Sequence, residues 1–332
     1  CMLFTLLPAG VFAAEETPTS GDCSRLDDGS VTWHYNSDTK TLTISGSGDM
    51  KTFEKESAVP WYGYMEEIET AVIEDGVTKV GARAFESATA LSAVSLGNTV
   101  TAIENAFHQC TSLKEITLPD SLTSITNQAF QDSGLTSIDI PAGVTSIGNS
   151  SFTYAKSLTA INVDPANKNY KSIDGVLFDI RFGDMNLMLY PAGKQDTSYT
   201  VPDGTVRISN LVNEFLSELY LNDGLESFHT IYASRSKLTE LKFPASVKEI
   251  QSTLSNNFAL KKLYFYGDAP TVKGGESISS SAPCQEGSVV YYVPGTKGWD
   301  KNPWKGWAAD GDIILNTWDG GTTPDPTETA QI

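Results

Sequence analysis

The chain reads as a β-rich solenoid of about nine coils, and three observations predict it. Apolar residues return at the same offsets every 22 or 23 positions along the middle of the chain. Within each period a short apolar–polar alternation runs into a turn, often at proline. Four successive periods then close on a small residue followed by phenylalanine: Ala84-Phe85, Ala106-Phe107, Ala129-Phe130 and Ser151-Phe152. Self-similarity at this period marks coils that bury their apolar faces only against their neighbours.

In chain order, residues 1–14 do not read as folded domain. Met2 to Leu7 is largely apolar, Pro8-Ala9-Gly10 breaks it, and Val11 and Ala13 are small residues at the positions a signal peptidase reads. The stretch is expected to be the tail of a secretory signal. The rival reading, a lipoprotein starting at Cys1, would continue into a polar linker, whereas this chain continues apolar. Residues 15–67 are expected to cap the first coil. Val31 to Tyr35 and Thr41 to Ser45 are strand-like and flank Asn36-Ser37-Asp38-Thr39, which predicts a hairpin. Pro60-Trp61-Tyr62 precedes a predicted helical stretch near Met65 to Glu69.

The solenoid is expected over 68–266. Its first apolar position falls at Ile68, Leu91, Leu113, Leu135 and Leu158, and again at Leu216, Leu238 and Leu260, with a degraded coil at Tyr199, Val201 and Ile208 between. Ile116-Thr117-Leu118 has the period of a half-buried strand. Pro119-Asp120, Pro141-Ala142-Gly143, Pro202-Asp203-Gly204 and Pro244-Ala245 are the predicted turns, because proline presets a turn and cannot donate to a ladder. Short turns or 3-10 segments are expected on the other side. The strands should stack in parallel into one sheet on the order of 40 Å long, and Phe85, Phe107, Phe130 and Phe152 should form an internal column.

The row pointing out of that sheet is not needed for the core. It begins Ser92, Ala93 and Ser95, and it supplies the candidate ligand contacts: Lys114, Glu115, Thr117 and Asp139 in the first half, Glu218, Tyr220, Glu240, Lys242, Lys262 and Tyr264 in the second. The alternative is that this row is simply solvated sheet.

One insertion interrupts the array. In 167–193, Val176-Leu177-Phe178 and Leu187 to Tyr190 flank a turn near Gly183-Asp184, which predicts an inserted β-hairpin. It is expected to act as a structural bracket, with a binding loop as the alternative. Residues 267–318 are expected to cap the last coil, starting with Ser288 to Pro294. Trp299, Trp304 and Trp307 concentrate here with Trp318, Tyr291 and Tyr292. Exposed rings would suit carbohydrate stacking, whereas buried rings would seal the last coil. Residues 319–332 read as a flexible linker.

Cys110-Thr111-Ser112-Leu113-Lys114-Glu115-Ile116-Thr117-Leu118-Pro119, followed by Ser121 to Ile125 and Ala129-Phe130, is similar to the BspA-like leucine-rich repeat family of bacterial surface proteins. Ile138-Asp139-Ile140-Pro141 with Val144 to Gly148 repeats the same phrase. The resemblance covers about 68 to 266, and Gly298 to Trp304 resembles the usual ending of the family. It implies a curved leucine-rich-repeat solenoid, secreted or surface-displayed, with a role in adhesion to host proteins or other cells. It supplies no catalytic residue and no particular ligand.

Composition narrows the function. With 23 basic and 41 acidic residues the net charge is −18. A polyanion does not suit nucleic acid or an anionic membrane surface. No segment has the roughly 18 consecutive apolar residues that insertion requires. His34, His108 and His229 do not stand at metal-ligand spacing, and His108 is expected to be an exposed turn residue. Asp164-Pro165-Ala166-Asn167 and Asp310-Gly311-Asp312 read as turns, since neither fits a twelve-residue calcium loop. No nucleophile elbow or phosphate-binding loop appears. No enzyme, metal or cofactor is therefore expected, and the expected partner is a protein. Cys110 should be a buried free thiol. Cys23 and Cys284 fall in opposite caps, so no disulfide framework is expected.

Overall fold

The computed structural model describes residues 18–211, 213–229, 237–251, 259–273, 287–310 and 313–318. The chain winds through about nine coils. Ile68, Leu91, Leu113, Leu135, Leu158, Leu216, Leu238 and Leu260 are all fully buried. The secretory-signal reading, Cys1, Cys284 and the linker reading lie outside the described residues.

Most coils contain two strands, where the sequence predicts one. The first strand builds a front wall and the second a back wall. At the front, Thr41–Gly46, Thr70–Ile73 and Ala93–Leu96 pair in parallel. Ser137–Ile140 then pairs with Ala160–Val163, Ser198–Thr200 with Glu218–Tyr220, and Glu240–Phe243 with Lys262–Phe265. The front wall is therefore four separate sheets instead of one continuous sheet. The first break falls at 113–118, which is extended but joins no ladder. For most front strands that pair with the coil before them, the residue after the strand donates to that coil, as Gly97 N–H does to Ile73 O at 2.8 Å. Pro119 occupies that position with no N–H to give. The predicted proline turns do form: Leu122, Val144, Thr205 and Val247 each donate to the proline three residues earlier, at 2.9–3.2 Å.

The back wall is more continuous although its strands are shorter. Val77–Val80, Ala102–Ile103, Ser124–Ile125 and Ser146–Ile147 are successive rungs. Threonine hydroxyls reinforce them. Thr101 Oγ1 donates to Thr78 O at 3.0 Å, Thr123 to Thr101 at 3.0 Å and Thr145 to Thr123 at 3.3 Å. The amide of each of these threonines donates to the same carbonyl, so one oxygen accepts at least twice at every rung.

Phenylalanine fills the corner between the back wall and the next coil. Phe85, Phe107, Phe130 and Phe152 stack at 5.3, 5.5 and 5.6 Å, with planes within 8° of parallel. Trp61 closes the column at its N-terminal end. Its ring lies 6.2 Å from Phe85 and its Nε1 donates to Ala84 O at 2.8 Å. The cap hairpin forms as expected from Val31–Asn36 and Thr41–Gly46, with Ser20–Asp22 added at its edge. The helical stretch expected near 65–69 is instead two single 3-10 turns, Glu56–Ala58 and Tyr62–Tyr64.

The insertion is a three-stranded meander, one strand more than predicted. Tyr170–Ile173 pairs antiparallel with Val176–Asp179, which pairs antiparallel with Met185–Leu189. The first turn needs two left-handed residues, Asp174 at φ 51° and Gly175 at φ 77°. Met185–Leu189 then pairs in parallel with Thr205–Ile208 and becomes the first rung of the second back wall. The meander also finishes the first one: Tyr170 Oη accepts Ile147 N–H at 2.8 Å. Asn167 ties the joint together, donating to Pro141 O at 2.9 Å and Val144 O at 3.0 Å. The buried side chains accordingly fall into two main clusters, one on each side of this joint.

The C-terminal cap is not a hairpin. Ser288–Tyr292 and Ile313–Thr317 add two further parallel rungs to the front wall, joined by the helix Trp304–Asp310.

Candidate functional site

The front wall carries the outward row, and its chemistry divides by position within the coil. The first residue of several outward sets is structural. Ser92, Thr136, Thr159 and Ser217 hydroxyls donate to the main chain of the preceding coil at 3.3, 3.2, 3.0 and 3.0 Å. The next outward positions have no such duty and line three concavities.

Two concavities lie on the first half. One, of about 360 Å³, is bounded by Ser92, Ala93, Glu115, Thr117, Ser137 and Asp139. The other, of about 400 Å³, adds Asp120, Asn162 and Asp164 and shares Thr117 and Asp139. Their polar side chains are small or acidic, and no aromatic or basic side chain lines either one. Asn162 Nδ2 donates to Asp139 Oδ1 at 2.8 Å. Lys114, grouped with them by sequence, lines neither and donates to Thr111 O of its own coil at 3.2 Å.

The third concavity, of about 580 Å³, lies on the second half. Glu218, Tyr220, Glu240 and Lys242 line it together with Asp223, Pro244, Ala245 and Tyr266. Four candidates from two coils thus meet in one place. The two strands belong to different sheets, and it is the stacking of successive coils that puts their equivalent outward positions side by side. Tyr220 is 53% exposed and Tyr266 38%. Tyr220 Oη donates to Glu218 Oε2 at 2.8 Å. That bond and the Glu218 charge raise the phenol above its usual range. Lys242 Nζ stands 3.8 Å from Glu240 Oε1 and 5.7 Å from the Tyr264 ring centre.

Two candidates behave otherwise. Lys262 is half-buried in register with Glu240, outside the concavity lining. Tyr264, expected to be exposed, is fully buried. It does face outward, but Tyr291 stacks beside it at 4.8 Å and Trp318 covers it at 5.0 Å. Burial pushes its phenol above its ordinary range. The chain ahead gave no sign of this, because the cover comes from residues far along the sequence. Tyr266 was missed for a simpler reason: it lies just past the strand, outside the repeating outward set. It is the next outward position after Tyr264.

The tryptophans are sealing residues. Trp299 and Trp304 are 4% and 1% exposed, pack on Phe265 at 5.1 and 5.6 Å, and present no open face for a sugar. Trp307 lies on the Trp304–Asp310 helix, and its side chain is outside the described residues.

Two histidines have partners that the sequence reading did not assign. His108 is mostly buried, with Nδ1 2.9 Å from Glu86 Oε1 one coil earlier. His229 Nε2 lies 2.7 Å from Ser227 Oγ and 2.5 Å from Glu249 Oε1, and Lys273 Nζ lies 2.7 Å from Glu249 Oε2. Burial opposes ionisation of Glu249, but Lys273 and His229 outweigh it and hold the carboxyl below its usual range. Both His229 contacts converge on one ring nitrogen. A serine–histidine–carboxylate relay needs both nitrogens, so this is a rung-to-rung hydrogen-bonding cluster beside the Lys273–Glu249 ion pair. Among the described residues no group of three metal-ligating side chains converges, and no helix is long and apolar enough to cross a membrane. Cys110 is a buried free thiol as expected, donating to Phe85 O at 3.1 Å, and burial raises it far above its normal range. Cys23 is likewise buried and free, pushed up to about 12 by burial and then by Asp22.

A family model of BspA type leucine rich repeat regions matches residues 78–179 and 200–274, in six copies. No curated protein matches significantly. A leucine-rich repeat protein from Eubacterium ventriosum superposes with a TM-score of 0.64 at 25% identity, covering 83% of this chain and 78% of that one. A leucine-rich repeat protein from Bacteroides ovatus shares the fold at a TM-score of 0.51 and 16% identity, covering 87% of this chain and 76% of that one.

Proposed function

The chain belongs to the BspA-type leucine-rich repeat family, and from that premise we propose that it is a secreted or surface-displayed bacterial protein that binds another protein through its front wall. Leucine-rich repeat folds of this family are typically non-catalytic and serve protein–protein interaction. The observation that carries the proposal is the gathering of Glu218, Tyr220, Glu240 and Lys242 around one concavity, none of them needed by the core. An adhesive role, non-catalytic, follows from a wide wall offered to macromolecules. The reading takes residues 1–14 as a signal remnant, 15–67, 68–266 and 267–318 as cap, solenoid and cap, and 319–332 as linker. The carbohydrate alternative loses its support with the burial of Trp299 and Trp304.

The test is capture of purified extracellular host proteins on immobilised full-length chain. Wild type is compared with a variant carrying Glu218→Ala, Tyr220→Ala and Glu240→Ala. The expected result is a partner held by wild type and lost by the variant. Equal capture by both rejects the front wall as the site.

A further inference from the structure

We propose that the second-half concavity receives a lysine- or arginine-bearing segment of the partner, its cation seated on the Tyr220 and Tyr266 rings and facing the Glu218, Asp223 and Glu240 carboxylates. The inference rests on the front-wall reading above and specifies the chemistry that this wall selects.

Charge is the first argument. Three carboxylates and one ammonium line the concavity. The ammonium is already engaged, since Lys242 lies against Glu240 and over a buried ring. An incoming cation therefore meets a net negative site on a chain of net charge −18, which favours its approach. The rings are the second argument. Tyr220 and Tyr266 are two of only seven large apolar or aromatic side chains that stand exposed among the described residues. An open ring beside a carboxylate suits a guanidinium, which stacks on the face and pairs at its edge, or the stem and head of a lysine. Pre-organisation is the third. The Tyr220 hydroxyl is held by Glu218 at 2.8 Å, and Tyr266 sits edge-on to Trp318 at 4.9 Å. Rings already held lose less freedom on binding. The first-half concavities supply the internal contrast: they carry carboxylates but no ring. They can attract a cation at long range but have no flat surface against which to hold it.

The experiment uses the full chain and a fluorescent octapeptide alternating glycine and arginine, with its citrulline counterpart as the neutral isostere. Saturable binding of the arginine peptide is expected, at least about tenfold tighter than the citrulline peptide and weaker at high salt. Tyr220→Ala and Glu240→Gln should each weaken it by about fivefold or more, whereas Tyr220→Phe, which keeps the ring, should stay within about twofold. Asp38→Asn, an exposed acid in the turn of the N-terminal cap hairpin and outside every concavity described, should change nothing. Thermal melting of every variant checks that the fold is intact. Equal affinity for the two peptides, no binding at millimolar arginine peptide, or an equal loss with Asp38→Asn overturns the inference. The two readings fail differently. A partner that the triple variant still holds overturns the front-wall reading. A partner lost by the triple variant but never displaced by the arginine peptide overturns only the cation inference.

Discussion

The two halves of the solenoid solve the same packing problem with aromatic residues in different places. In the first half the rings stand at the corner, four in a column with near-parallel planes. In the second half three buried phenylalanines lie on strands instead. Phe243 and Phe265 end adjacent front strands and stack at 4.6 Å, while Phe228 of the back wall meets Phe243 edge-on at 5.4 Å. The outer faces differ in step. The first half presents serine, threonine and carboxylates, whereas the second presents tyrosines among mixed charges. A repeat constrains the inward offsets because each coil must interlock with the next. It leaves the outward positions free, and there the halves differ in charge and in ring content.

Three substitutions probe this comparison. The largest effect is expected from Phe107→Ala, in the middle of the column. It should cost roughly 3–5 kcal/mol through the cavity left between Phe85 and Phe130. Because the meander separates two buried clusters, hydrogen exchange should show protection falling over 85–152 and holding over 240–265. A uniform loss across both regions would show that the halves unfold as one unit, and the comparison would then be one of composition only.

Tyr170→Phe tests the joint. It removes one oxygen and leaves the buried Ile147 N–H without its acceptor. The expected loss is about 1–3 kcal/mol by chemical denaturation, with exchange rising first at Ile147. A variant as stable as wild type would mean that the meander does not terminate the first back wall through this bond.

The smallest effect is a gain. Gln128 is an exposed corner residue held at φ 63°, a conformation glycine adopts without strain. Gln128→Gly should raise stability by up to about 1 kcal/mol, after glycine's own entropy cost is set against the relieved strain. A loss would show that the Gln128 side chain contributes more to the corner than its exposure suggests.

Much of this was readable in the chain. The eight coil starts and the four corner phenylalanines declared themselves by period alone, because burial in a stack demands the same residue at the same offset. Cys110 was assigned a buried place because its neighbours in other copies are equally small. The candidate contacts were legible as a row, though not as a site. Glu218 and Glu240 look no different from Glu115 in a linear pattern, and only the folded stack groups the first two with Tyr220 in one concavity. The back wall escaped notice because its rungs span as few as two residues, too short for any alternation to show. The meander's first strand, Tyr170–Ile173, was missed because it is a short and mostly polar segment.

By itself the sequence determined the coil period, the identity of the core and the existence of an unused outer row, since each follows from local alternation repeated at a constant interval. Tertiary structure alone decided the rest. It buried Tyr264 beneath Trp318, paired His108 with Glu86, broke the front wall at 113–118 and brought two tyrosines to one acidic concavity. Those outcomes depend on which surfaces distant segments cover and which donors meet which acceptors across coils, and neither is written in the spacing of residues along a single chain.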